Sequence, residues 1–158
     1  MITAKEIRTA LADFLKKQAG LPYEVHFDVN HESSASYFYV EISEQRKTVD
    51  PIYYDRVLKV DIQLVLLPDK VGRIHRAKLY EVTDTLNSVL RPIFQIGDRY
   101  ITVQNTSSRI FDDILHYQFE LSFTDYLPGP SYPLAETLEL NFVVEGTGEI
   151  KEEETNGE

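Results

Sequence analysis

Histidines with carboxylates close by are the residues whose types and spacing could do chemistry. His26 and His31 lie near Asp28 and Glu32. On a strand, His26 and Asp28 would share a face, an arrangement open to metal binding or acid–base work. A metal site needs fixed geometry that this loose spacing does not encode, so the expectation is polar residues on the wet side of a hairpin. The Asp28-x-Asn30-x-Glu32 spacing is that of a calcium loop, but Ser33 stands at the glycine position and Tyr39 at the bidentate glutamate position. The motif therefore fails. A second cluster, Asp112, Asp113 and His116, could supply a general base or a small metal-dependent enzyme site. It has no serine nucleophile in an elbow context, and adjacent aspartates more readily cap a turn through their own backbone.

Other chemistries fall away by residue type. There is no cysteine, which removes disulfides, thiol nucleophiles and Cys-ligated zinc together. Seven glycines are present, and none forms a GxGxxG or Walker A pattern. Arg73, Arg76 and Lys78 make a small basic group whose default reading is a solvated helix face. Neither a catalytic residue, a cofactor nor a metal is expected, and the protein reads as a non-enzyme. Ten tyrosines beside one methionine and no tryptophan form the compositional anomaly, and tyrosine is favoured at protein interfaces. Tyr37 and Tyr39 fall on the strand face opposite Phe38 and Val40, where they are available to a partner or simply cover an exposed sheet.

The elements that must position these residues are written in periodicity. Thr3 and Glu6 form a capping box with Ile2 and Ile7 at staple positions, and Ile7, Leu11, Phe14 and Leu15 then make one helical stripe, so a first helix is predicted over 4–19. Val25, Phe27 and Val29, then Phe38, Val40 and Ile42, alternate with polar neighbours as two strands of a hairpin. Leu58, Val60, Ile62, Leu64 and Leu66 mark the clearest strand. Helical spacing of Ile74, Leu79, Val82, Leu86, Val89 and Leu90 gives a second helix from about residue 73, stopped by Pro92. A hairpin around Gly97-Asp98 follows, then a long strand through Leu115, Tyr117, Phe119, Leu121 and Phe123, central in the sheet. The expected fold is α+β, a two-layer sandwich with a mainly antiparallel sheet and two helices on one face, in the order α-β-β-β-α-β-β-β.

Length and charge fit this reading. At 158 residues the chain is one domain's worth of sequence, and 42% hydrophobic with 27% charged residues is ordinary for a folded protein. Of the net charge of −10, residues 136–158 carry −7 from eight Glu and one Lys, leaving −3 for residues 1–135. Specific nucleic-acid binding and membrane association are not expected. No leader pattern opens the sequence, so synthesis and retention in the cytoplasm are expected. The division read from sequence is a domain over 1–126, a Pro-rich linker over 127–134, an extra strand or arm over 135–145 carrying Leu138, Leu140, Phe142 and Val144, and an acidic disordered tail over 146–158.

Three stretches carry a family resemblance: residues 80–86 on the second helix, Leu66-Leu67-Pro68 ending a strand, and residues 112–119 opening the last strand. Together they resemble small phage tail terminator (tail completion) proteins, of the type filed in prophages as domains of unknown function. Leu66-Leu67 replaces the aromatic pair common in that family, and the segment from Ala135 onward has no counterpart in it. The resemblance implies a structural protein of the virion tail, assembled in host cytoplasm. It implies a ring, usually a hexamer, that sits on the tail tube, ends its polymerisation and meets the head–tail connector protein, with self and the tail-tube protein as the other partners. Such a ring needs heterologous edges, which the 135–145 strand could supply to a neighbouring subunit or an exposed sheet edge. The alternatives are another head–tail connector or neck adaptor ring protein and, in a different class, the enzyme domain using His116 with Asp112 and Asp113.

Overall fold

The structure is a computed structural model that describes residues 1–29 and 33–129. The first helix begins where the capping box places it. Thr3 Oγ1 accepts from Glu6 N–H at 3.2 Å, and Glu6 Oε2 accepts from Thr3 N–H at 2.7 Å, satisfying two backbone donors that a helix start leaves unpaired. Helix α1 spans Ala4–Asp13 and continues as a π-helical turn over Phe14–Gln18. The sequence stripe gives the length of this helical run but not its wider last turn, where Ala19 N–H reaches back to Phe14 C=O at 2.9 Å. Gly20, at φ 60°, lets Leu21 N–H close on Leu15 C=O, a left-handed exit that glycine makes without strain.

Six strands form one mixed sheet in the order β1-β2-β3-β6-β5-β4. They are β1 (Glu24–His26), β2 (Tyr37–Thr48), β3 (Tyr53–Val65), β4 (Ile93–Ile96), β5 (Arg99–Phe111) and β6 (Ile114–Tyr126), with helix α2 (Arg76–Val89) between β3 and β4. The element order matches the pattern read from sequence, and the long strand β6 is interior. One pairing departs from it. β1 runs parallel to β2, with Val25 beside Phe38, where the alternation predicts a hairpin. Either direction puts Val25 and Phe38 on the same face, so hydrophobic period cannot choose between them. Phe27, which the alternation groups with Val25, lies beyond the end of β1, packs against the core and sits 4.9 Å under the Arg8 guanidinium. The chain thus continues along α1 past the sheet, and Val29, expected on the apolar face, is exposed.

The core is the even-numbered face of β2 and β3 and the matching odd-numbered face of β6. Leu58, Val60, Ile62 and Leu64 register against Leu121, Phe119, Tyr117 and Leu115, all of them buried. Ile7, Leu11, Phe14 and Leu15 from the first helical run and Leu79, Val82 and Leu86 from α2 join the same cluster. Truncating any of the fully buried leucines to alanine costs about 2–5 kcal/mol. A bulge between Val103 and Asn105 interrupts β5, and β4 turns so that Phe94 meets Phe14 edge-on at 5.6 Å. Among the described residues no helix is long and apolar enough to cross a membrane.

Candidate assembly surfaces

The apolar parity of β3 and β6 carries two charged residues at one end of the sheet. Arg56 and Asp125 are each 1% exposed, in line with Leu58 and Phe123. Arg56 Nη1 donates to Asp125 Oδ2 at 2.8 Å and to Ile2 C=O at 2.6 Å, while its Nε donates to Glu44 Oε1 at 2.8 Å. Asp125 also accepts from Ile2 N–H at 2.8 Å and Tyr126 N–H at 3.0 Å. Burial alone would push the Asp125 carboxyl up, but the hydrogen bonds from Ile2, Arg56 and Tyr126 outweigh it and hold the group below its ordinary value. Glu44 behaves alike: burial raises it, and bonds from Arg46 and Arg56 bring it down on balance. The cluster ties the entry to α1, β2, β3 and β6 into one corner. Sequence reasoning passed over it, although a charged residue in phase with an apolar stripe was the available signal.

At the other end of the domain, Asp112 and Asp113 form the two-residue turn of the β5–β6 hairpin. Both take positive φ, 49° and 59°, as the turns that match strand twist require. The turn expectation holds. The enzyme alternative does not find its cluster, because Asp113 pairs with Arg76 at 2.8 Å and His116 points its Nδ1 to Asp61 Oδ2 at 3.1 Å. His116 lies on the sheet face turned away from the core, level with Gln63 and Tyr39 in the strand register. Among the described residues no three His, Asp or Glu side chains gather as a metal site would need.

His26 ends β1, so no strand carries the chain on to set it beside Asp28. Its ring meets Glu24 at 3.4 Å and stands edge-on to Tyr37 at 5.3 Å. Asn30, His31 and Glu32 lie outside the described residues, as do Leu138, Leu140, Phe142 and Val144. Tyr37 and Tyr39 are half-buried on the face away from the core, the side that alternation with Phe38 and Val40 predicts.

Among the described residues both flanks of the sheet are largely open. β1 pairs only with Tyr37, Val25's neighbour Phe38 and Tyr39, so residues 40–48 of β2 have no strand beside them among the described residues. β4 pairs with Arg99 through Thr102, leaving residues 104–111 of β5 similarly open. Unpaired strand edges carry a row of N–H and C=O groups that template pairing with another segment. Along the open part of β2 runs a groove of about 410 Å³, walled by Ile7 and Arg8 of α1, Phe27, and Val40 and Ile42 of β2.

A small α+β domain with two open strand edges matches, over residues 6–132, the sequence profile of a family described as "Phage tail terminator protein". That places it in the class of structural components of phage tails. The chain belongs to the phage tail terminator family, and its role is structural, in completing a tail through contacts with other tail or head–tail proteins. No curated protein matches the sequence. Nine chains of solved structures match, and one of them aligns at 18% identity over 83% of this chain and 100% of its own, with a TM-score of 0.39.

Proposed function

We propose that the protein caps the tail tube as a ring, a hexamer when assembled, that ends tube polymerisation and helps join tail to head. Its partners are copies of itself, the tail-tube protein and the head–tail connector protein. It acts in the virion tail after assembly in host cytoplasm. The single observation that supports a ring is the pair of open edges on opposite flanks of one sheet. A protomer with two different edges can bind a neighbour heterologously on each side, and such contacts close into a ring when the rotation allows.

Residues 1–126 serve as the ring's two-layer domain and residues 127–134 as a linker. Residues 135–145 serve as an arm strand and residues 146–158 as an acidic tail. Tyr37 and Tyr39 on the outer sheet face, with Leu138, Leu140, Phe142 and Val144 on the arm, are the contact residues of this reading. The test is electron microscopy of tails made by phage lacking this gene. Tubes of uncontrolled length are the expected result. Tails of normal length without heads would overturn capping and make the protein a neck adaptor instead.

A further inference from the structure

We propose that residues 138–144 add to the open edge of β2 in the same chain, antiparallel to it, with Leu140, Phe142 and Val144 turned into the groove beside α1 and Leu138 beside Arg46. This rests on the arm reading above and refines it: the arm's apolar side belongs to its own chain, and the outer edge of the added strand becomes the edge that this flank presents to a neighbouring subunit. The edge offers nine residues, 40–48, without a partner strand among the described residues, and the arm offers seven in alternation. Alternate residues of the arm can exchange main-chain hydrogen bonds with β2, while every second side chain turns to the core-facing side of the sheet.

Direction and reach follow from where the chain leaves the sheet. Tyr126 pairs with Tyr53, and Thr48 pairs with Tyr54, so β6 ends at the end of the sheet where β2 ends. Leu127 N–H then donates to Ile52 C=O at 2.8 Å, drawing the chain toward the β2–β3 turn. From β6 across β3 and β2 to a new edge strand is about 15 Å, three strand spacings. The 11 residues 127–137 can span up to about 36 Å. A strand entering from this end runs from Thr48 toward Val40, opposite to β2.

Side-chain parity then sets the register. Phe142 beside Ile42 and Val144 beside Val40 put all four apolar arm residues on the core-facing side of β2, and Asn141 falls beside Ser43 on the other. Charge agrees with this register. Glu136 and Glu139 come level with the Arg46 and Lys47 end, and the uncharged residues 140–144 lie along Glu41 and Glu44. In-chain attachment also presents the arm at an effective concentration in the millimolar range.

The absence of native cysteine makes a cross-link test clean. Full-length chain carrying Ser43→Cys with Asn141→Cys is oxidised at low protein concentration and compared with Ser108→Cys with Asn141→Cys, which probes the open edge of β5. The expected result is an intrachain disulfide in most molecules of the first pair, at least 10-fold faster than in the second, and slowed at least 10-fold by adding Phe142→Asp. Equal rates for the two pairs, faster linkage at β5, interchain dimers, or indifference to Phe142→Asp would each overturn the assignment. Tail-length microscopy reads the capping role separately, so a failed cross-link with normal terminator behaviour refutes only the arm's place.

Discussion

Removing the Asp125 carboxylate should destabilise the domain far more than removing an exposed partner elsewhere. In Asp125→Ala, Arg56 stays 1% exposed but keeps only Glu44 and the Ile2 carbonyl, and the Ile2 and Tyr126 amides lose their acceptor. Breaking a buried ion pair from one side costs about 3–5 kcal/mol, and the surviving Glu44 contact puts this case near the lower end, about 3 kcal/mol. For a folded unit of this size that lowers Tm by about 10 °C. Urea unfolding followed by circular dichroism measures it, with an unchanged m-value required for the comparison. Asp13→Ala is the control. Its pair with Lys17 at 3.1 Å is largely solvent-exposed, and its loss should cost no more than about 0.5 kcal/mol. Replacing both buried partners, Arg56→Met with Asp125→Leu, should leave the protein within about 2 kcal/mol of the parent, because neither charge then remains stranded. The reasoning fails if Asp125→Ala costs less than about 1 kcal/mol, or if the double variant loses the sum of its two singles.

The same corner sets an acid limit. Asp125 and Glu44 titrate below their ordinary values of 3.8 and 4.5, so between folded and unfolded values the unfolded chain binds more protons. The stability they contribute is complete above about pH 5 and lost as pH falls below it, and Asp125→Ala should flatten that acid slope in a pH series of urea midpoints. At the β5–β6 turn, Asp112→Val should lower stability by about 1–2 kcal/mol because a β-branched residue resists φ 49°, while Asp112→Gly should be neutral or stabilising, both read by thermal unfolding. His116→Gln keeps a donor for Asp61, so tail assembly counted by microscopy should be unchanged, and a loss of assembly with normal stability would reopen a chemical role for that face.

Much of the fold was legible because it is local. Thr3 with Glu6 specifies a helix start through bonds three residues apart, and the 3.6- and 2-residue periods give both helices and the parity of β2, β3 and β6. The turn chemistry of Asp112-Asp113 belongs to the same scale. Strand lengths were less legible. β2 continues through Ser43, Glu44, Gln45, Arg46, Lys47 and Thr48 without an apolar pattern, because its partner β3 supplies the ladder and one flank is open. The partners of His116 were not legible for a related reason. Residues three and four apart in sequence straddle a tight turn and the strand after it, and the strand register carries His116 to Asp61 on β3.

By itself the sequence determined the succession of elements, which side chains of β2, β3 and β6 face the core, the acidic composition of residues 136–158, and the family resemblance. These depend on residue type at short spacing, where sterics, capping and burial act directly. Tertiary structure decided what short spacing cannot encode. It set β1 parallel to β2, since both directions bury the same residues. It buried Arg56 against Asp125, 69 positions away, where a sequence shows only two charges out of place. And among the described residues it left 40–48 and 104–111 without a strand on their outer side, because an edge is defined by a strand's neighbours in space and not by its own residues.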